Sequence, residues 1–459
     1  LVLLVGVVGL VACRFDGGGL GAAVDASPKE ASTPDLVDVG VDLPPDLGPQ
    51  CVDDDCTLGC NAAVDRCARL MPSNVDPRPF YQQAKANVLL DAPQGPEIVI
   101  DGASGALPGY RAAGDPPDTG DVHYELVTMK DGLKAAVFAF DTLRVTAGTT
   151  VRVVGIYPVI LYVRDRVEIR GALSASATVA APGAGGFAGG AKDGQQGNAQ
   201  CSGSGVGGGQ QSELTGIEWE AGGGGGGYGA SGARGADVWC KPATVIDKKA
   251  VGGPGGPGFG VDELIPLRGG CGGGAGGGPD VSINPGHGGA GGHGGGALQI
   301  SAGEHLEVAA GGFIEAGGGG GQGGTAGAGG GGGGSGGAIL LEAPTLSLRG
   351  FVSANGGGGG AGSDSSTLNL EGAAGEDGQR SEAQAKGGLA DLATIYVGTS
   401  GGLGGALAGA AVSGSDSNDR CNGGGGGGGV GRIRVNSNPG QLPGKSSPAA
   451  STGFLLPPW

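Results

Sequence analysis

Two serines sit in patterns that could make them nucleophiles. Gly398-Thr399-Ser400-Gly401-Gly402 and Gly333-Gly334-Ser335-Gly336-Gly337 both match G-x-S-x-G, the turn that exposes a serine between a strand and a helix. No α/β alternation surrounds either match and the second lies inside polyglycine, so both read as products of composition. Gly440-Gln441-Leu442-Pro443-Gly444-Lys445-Ser446 resembles a phosphate loop but is one residue short between its glycines, and no helix follows it. Numerous G-x-G-x-x-G matches are equally empty without a helix. Of the four histidines, His123, His287, His293 and His305, His287 and His293 flank a glycine stretch and could offer imidazoles to a metal. No neighbouring Cys or carboxylate completes a ligand set, so they read as exposed loop residues.

Oxygen ligands and aromatic rings give weaker signals. Asp416, Asn418 and Asp419 lie close together before Cys421, a set that suits Ca²⁺, but the glycine-aspartate nonapeptides of Ca²⁺-binding β-rolls are absent. Asp53-Asp54-Asp55 reads as a solvated acidic loop. Trp219, Tyr228 and Trp239 are concentrated in one glycine-rich segment, where they either stack on sugar rings or anchor the segment to its own scaffold. Asp364, Asp377 and Arg380 could serve a polysaccharide-active enzyme, by analogy of fold alone. No catalytic set assembles, no cofactor is called for, and Ca²⁺ is the one ion left open.

The elements that would position such residues are strands. Gly296-Ala297-Leu298-Gln299-Ile300-Ser301-Ala302 is matched 41 residues later by Gly337-Ala338-Ile339-Leu340-Leu341-Glu342-Ala343. Each copy continues through a second apolar piece (Leu306 and Val308, then Leu346 and Leu348) into Phe313-Ile314-Glu315-Ala316 or Phe351-Val352-Ser353-Ala354, and then into polyglycine. Three apolar pieces per unit are what stacked β-coils require, because one coil cannot bury its apolar face alone. Arg166 to Ala175 has the shape of the Leu346 to Ala354 stretch. Gly431-Arg432-Ile433-Arg434-Val435-Asn436 follows a glycine run in the same way and reads as the last rung. Further strands are expected at 97–101, 122–129, 135–140, 143–146, 150–154, 158–163 and 167–169, several with the alternation of half-buried strands. Residues 439–459, with five prolines, are expected to cap the open edge instead of continuing the ladder.

Of 459 residues, 112 are glycine and few are aromatic, so ordinary globular packing cannot account for the whole chain. The glycine segments, longest at 183–296, 317–337 and 356–429, are open to two readings. They are flexible tethers, or the runs lie alongside one another as extended helices with three residues per turn, bonded between chains. The net charge of −17 argues against nucleic acid or anionic membrane surfaces as partners.

At the N-terminus, residues 1–12 are almost wholly apolar and Leu10-Val11-Ala12-Cys13 places a small residue before a cysteine. This suits a signal-peptide core and resembles a bacterial lipobox, which makes Cys13 the expected lipidation site and a lipid anchor the expected link to a membrane. Residues 13–50 are Asp-, Pro- and Gly-rich and read as a disordered acidic tether. Residues 51–78 carry Cys51, Cys56, Cys60 and Cys67, too few residues to fold on burial alone, and two disulfides are expected there. Cys201, Cys240, Cys271 and Cys421 lie in or beside glycine segments of the body at 79–438, and their even number fits two more disulfides in any of three connectivities.

The Gly336 to Ala343 unit, followed by Gly350-Phe351-Val352-Ser353-Ala354-Asn355-Gly356 and polyglycine, with the closing Gly431-Arg432-Ile433-Arg434-Val435, resembles the glycine-rich surface lipoproteins of myxobacteria and related bacteria. The resemblance covers roughly 142–437 with the lipobox and cysteine cluster. It implies a pectate-lyase-like right-handed parallel β-helix and an outer-surface location, and brings no catalytic residues. The expected fold is therefore all-β: a right-handed parallel β-helix with long polyglycine inserts, preceded by a small disulfide-rich module and a tether. The expected role is a non-catalytic structural or adhesive surface protein, with extracellular polysaccharide or a second copy as partner and no role for nucleic acid. A polysaccharide-active or carbohydrate-binding β-helix is the alternative.

Overall fold

The computed structural model describes residues 70–118, 122–192, 201, 220–239, 249–278, 286–363, 371–390, 398–416, 421–438 and 444–455, with the backbone alone at 60–61, 66–67, 239 and 249. The chain divides into Leu1–Gly48, which lies outside the described residues, and Pro49–Trp459. The expectations at Cys13, the tether, Cys51, Cys56, Trp219, Cys240, Asp364, Asn418 and Asp419 fall outside the described residues.

The described part is all-β, with no helix among the described residues. Three sheets dominate it, and the chain visits them in rotation. The first holds Asn87–Leu90, Thr142–Val145, Arg166–Ile169, His305–Val308 and Thr345–Leu348. The second holds Ile98–Asp101, Thr150–Val154, Ala172–Ser174, Phe313–Glu315, Phe351–Ser353 and Lys445–Ser447. The third holds His123–Thr128, Lys134–Phe140, Val159–Val163, Ala297–Ala302, Ala338–Ala343, Arg432–Ser437 and Ser451–Gly453. Within these three sheets all pairings are parallel except the hairpin of His123–Thr128 with Lys134–Phe140. None of the sheets closes on itself.

Register explains the sequence repeat. Leu298 pairs with Ile339 and Ile339 with Ile433, while Leu306 faces Leu346 and Ile314 faces Val352. Equivalent positions therefore stack, and their alternate side chains from all three sheets merge into one core that includes Phe138, Leu161, Leu173, Ile300, Leu306 and Val435. The third sheet is also covered outside, by a strap around Val75, Phe80, Tyr81 and Ala84 and by Leu264 and Leu267. Burial on both faces is why Ala338–Ala343 is buried at every position and reads as a continuous apolar run. Gly171, Gly312, Gly350 and Gly444 each precede a second-sheet strand; a Cβ there would lie 2.1–2.3 Å from a carbonyl oxygen of the neighbouring backbone.

The C-terminal reading is corrected. Lys445–Ser447 and Ser451–Gly453 extend the second and third sheets in parallel. None of the five prolines lies inside either strand, and Pro448 falls between them, so neither strand loses a ladder donor. Asn87–Leu90 is a strand that the sequence pattern did not mark.

All three glycine inserts leave the end of a second-sheet strand and return at the start of a third-sheet strand. Each is closed at its base by the same bond. Gly296 N donates to Ala175 O at 2.8 Å, Gly337 N to Ala316 O at 2.8 Å and Gly431 N to Ala354 O at 2.7 Å. Because loop-closure entropy rises slowly with length, a neck of this kind serves a short insert and a long one alike.

Candidate functional site

Among the described residues the inserts form a lattice of extended glycine runs bonded to one another through their backbones. Gly330, Gly331 and Gly332 donate to Gly423, Gln322 and Gly274, at 2.8–2.9 Å. Their carbonyls accept from Gly223, Gly360 and Gly292, again at 2.8–2.9 Å. Three residues on, Gly333, Gly334 and Ser335 donate to Gly426, Gly319 and Cys271 and accept from Gly226, Gly357 and Gly295. The same six neighbours recur with a period of three, as a three-residue helix turn demands. Their directions are mixed: the run at 423–426 is parallel to this one and the run at 319–322 antiparallel, because every insert must return to its neck. Along 330–335, polyglycine that would be disordered alone is fixed because each backbone N–H and carbonyl has a partner.

Side chains are excluded wherever a run is surrounded. At Gly332, Gly333 and Gly334 a Cβ would fall 2.0–2.1 Å from the carbonyl oxygens of Gly224, Gly357 and His293. At the margin the rule relaxes. In Gly372-Ala373-Ala374-Gly375-Glu376-Asp377-Gly378 only every third residue points inward, and a Cβ at those three glycines would lie 2.2–2.3 Å from a neighbouring carbonyl. Along 252–257, Pro254 and Pro257 occupy the exposed third position, where the missing N–H leaves no outward donor. The number of covered sides is thus written in the glycine spacing of each run.

Several residues with chemical promise turn out to serve this packing. Ser335 is fully buried; its Oγ accepts from Cys271 N at 2.8 Å and donates to Cys271 O at 3.3 Å. Cys201 and Cys271 form a disulfide, and Cys421 is disulfide-bonded as well. Cys60 lies opposite Cys67 in a short antiparallel pair. His293 Nδ1 accepts from Gly189 N at 3.1 Å, and burial lowers its pKa. His287 N donates to Thr325 Oγ1 at 2.8 Å. His123 is buried, its Nδ1 2.6 Å from Asp118, and His305 lies half-buried in the first sheet. No family model, curated protein or solved structure matches this chain.

The remaining candidates separate further. Tyr228 is 1% exposed and packs edge-on to Phe259 at 5.1 Å, and burial pushes its phenol far above the ordinary range. Its ring has no face left for a sugar, which corrects the reading of Tyr228 as a carbohydrate contact. Trp239 lies in a short strand, Val238–Trp239, paired with Lys249–Ala250. Asp416 accepts a hydrogen bond from Asp237 N at 3.0 Å. Asp377 accepts from Gly320 N at 2.8 Å, and Arg380 clasps the buried Glu315 through two nitrogens. Among the described residues no three His, Cys, Asp or Glu are grouped to hold a metal.

Two polar clusters were not legible in the sequence. The buried Glu342 carboxylate accepts from Gln299 Nε2 and Ser301 Oγ at 2.8 Å, from Asn436 Nδ2 at 3.1 Å, and from both N and Oγ of Ser73. It pins the strap to the third sheet. At the corner between the third and first sheets, Asp141, Asp165 and Glu304 occupy equivalent positions, linked by backbone bonds from Asp165 N to Asp141 O and from Glu304 N to Asp165 O. Burial and then the Glu304 charge raise the Asp165 pKa. Both clusters join residues distant in sequence, so only the stacking register could have revealed them.

Proposed function

We propose that this chain is a lipid-anchored, non-catalytic structural or adhesive protein of the bacterial surface, its three sheets winding as a right-handed parallel β-helix that carries the glycine lattice as a rigid flank. The observation that carries this reading is the complete bonding of Gly330, Gly331 and Gly332 to six neighbours. A backbone so satisfied resists local opening and holds the outward side chains of its marginal runs, such as Ala373, Ala374, Pro254 and Pro257, at a fixed spacing, suited to broad contact with extracellular polysaccharide or with a second copy. The apolar segment before Cys13 supports the anchor, and the repeat units support kinship with the glycine-rich surface lipoproteins they resemble.

Amide hydrogen exchange tests the rigid flank: slow exchange at 329–337 and 423–429 is expected, and random-coil rates there would refute it. For the anchor, globomycin or Cys13→Ala should leave unprocessed protein in whole cells, whereas an unchanged soluble product would defeat it. A high-resolution density map with left-handed turns would remove the β-helix assignment.

A further inference from the structure

At the corner where the inserts depart, on the side nearer the first turns, lies an open groove of about 800 Å³. Its charged lining is wholly cationic: Lys134, Arg152 and Arg268, with no Asp, Glu or His. In a chain of net charge −17 such a place is the exception. Arg268 Nη2 holds Asp131 at 3.1 Å, while its Nε is enclosed without a hydrogen-bond partner. Arg152 reaches Ser176 O only at 3.5 Å, so its guanidinium is nearly unspent.

Around this cation cluster, three separate turns raise aliphatic side chains into solvent. Leu133 is 43% exposed, Ile156 75% and Val179 67%. Leu133 and Ile156 line the groove, and Val179 follows Thr178, which also lines it. Single exposed aliphatic side chains are ordinary on a folded domain; what sets these three apart is that they stand around one cationic groove. A sugar ring would favour a flat aromatic face, and an acidic peptide would not require three tips standing clear of the groove. Projecting aliphatic side chains flanked by cations suit the boundary of an anionic bilayer, with the tips in the acyl layer and the cations among headgroup phosphates.

We propose that this face docks on an anionic lipid bilayer, through Leu133, Ile156 and Val179 as inserted tips and Lys134, Arg152 and Arg268 as headgroup contacts. This modifies the argument from net charge, since at physiological salt a Debye length of about 8 Å makes the attraction a local one. The proposal is independent of lipidation, and its test removes the lipid.

The experiment is flotation of the chain begun at Arg14, which lacks both the apolar segment and Cys13, with vesicles of two parts phosphatidylcholine to one part phosphatidylglycerol, and with phosphatidylcholine alone. Flotation with the anionic vesicles only, weakened by salt, is expected. Lys134→Ala and Arg152→Ala should each weaken partitioning roughly fivefold, and Ile156→Asp by more than about tenfold. Lys134 and Ile156 are exposed, so these variants fold as the parent does. No flotation, equal flotation with both vesicles, or flotation insensitive to all three substitutions would each overturn the proposal. So would saturable binding of a soluble acidic oligosaccharide at Arg152 by a chain that ignores vesicles.

Discussion

Replacing Gly332 by alanine tests the lattice at its centre. The added Cβ would sit 2.0 Å from Gly224 O, whereas carbon and oxygen in ordinary contact stand about 3.3 Å apart. The runs must therefore separate by roughly 1 Å, which stretches the bonds that Gly223 and Gly226 donate to Gly330 and Gly333, now 2.9 and 2.8 Å. Overpacking of this kind costs about 1–3 kcal/mol, and two weakened hydrogen bonds add about 1 kcal/mol each. Alanine also stiffens the unfolded chain, which offsets about 0.5–1 kcal/mol. The net expectation is a loss of about 2–4 kcal/mol. Ala374→Val, on the exposed side of a marginal run, should change stability by less than about 0.5 kcal/mol. Urea unfolding gives the difference, and hydrogen exchange shows whether 220–228 and 329–337 loosen together. A Gly332→Ala protein as stable and as protected as the parent would refute the close-packed lattice.

Cys201 and Cys271 are separated by 70 residues, so Cys201→Ser with Cys271→Ser should lose up to about 4 kcal/mol in the loop-closure description; unchanged urea midpoints would contradict it. Glu342→Leu strands the donors of Ser73, Gln299, Ser301 and Asn436 and should cost at least about 3 kcal/mol, with the strap at 70–84 becoming the first site of proteolysis. The Asp165 carboxyl is raised by burial and by Glu304, so its ionised form is the unfavourable one in the fold. Its contribution is fully present below the unfolded pKa and is lost as pH rises through the folded value. Asp165→Asn should therefore raise the melting temperature at neutral pH, with the gain fading toward pH roughly 3. A neutral-pH melt favouring the parent would count against this.

The part of the fold that repeats locally was legible. Leu298 and Ile339 announce their pairing because each turn repeats the same alternation, and the glycine before Phe351 marks a corner that no side chain fits. Asn87–Leu90 escaped notice because it follows no repeat unit and gains its partner, Thr142–Val145, only through stacking. The lattice stayed undecided for a different reason. One glycine run has no preference for order, and its stability arises only when six others surround it, a collective property that no window of sequence contains. The groove draws Leu133, Arg152, Phe187 and Arg268 from distant segments, and the cluster around Glu342 does likewise.

The necks formed by Ala175, Ala316 and Ala354 fix where each insert leaves the β-stack. Inside the lattice, identity of environment returns every third residue, so the lattice has a reading frame. Lengthening an outgoing run by three residues and its returning partner by three shifts both by one unit cell and restores every bond. Adding one or two residues rotates the run and turns its side-chain-bearing positions into its neighbours. Length variation in this protein should therefore be quantised in triplets of residues, paired between the strands of an insert. A surface could then grow or shrink during evolution without any change to the scaffold that bears it.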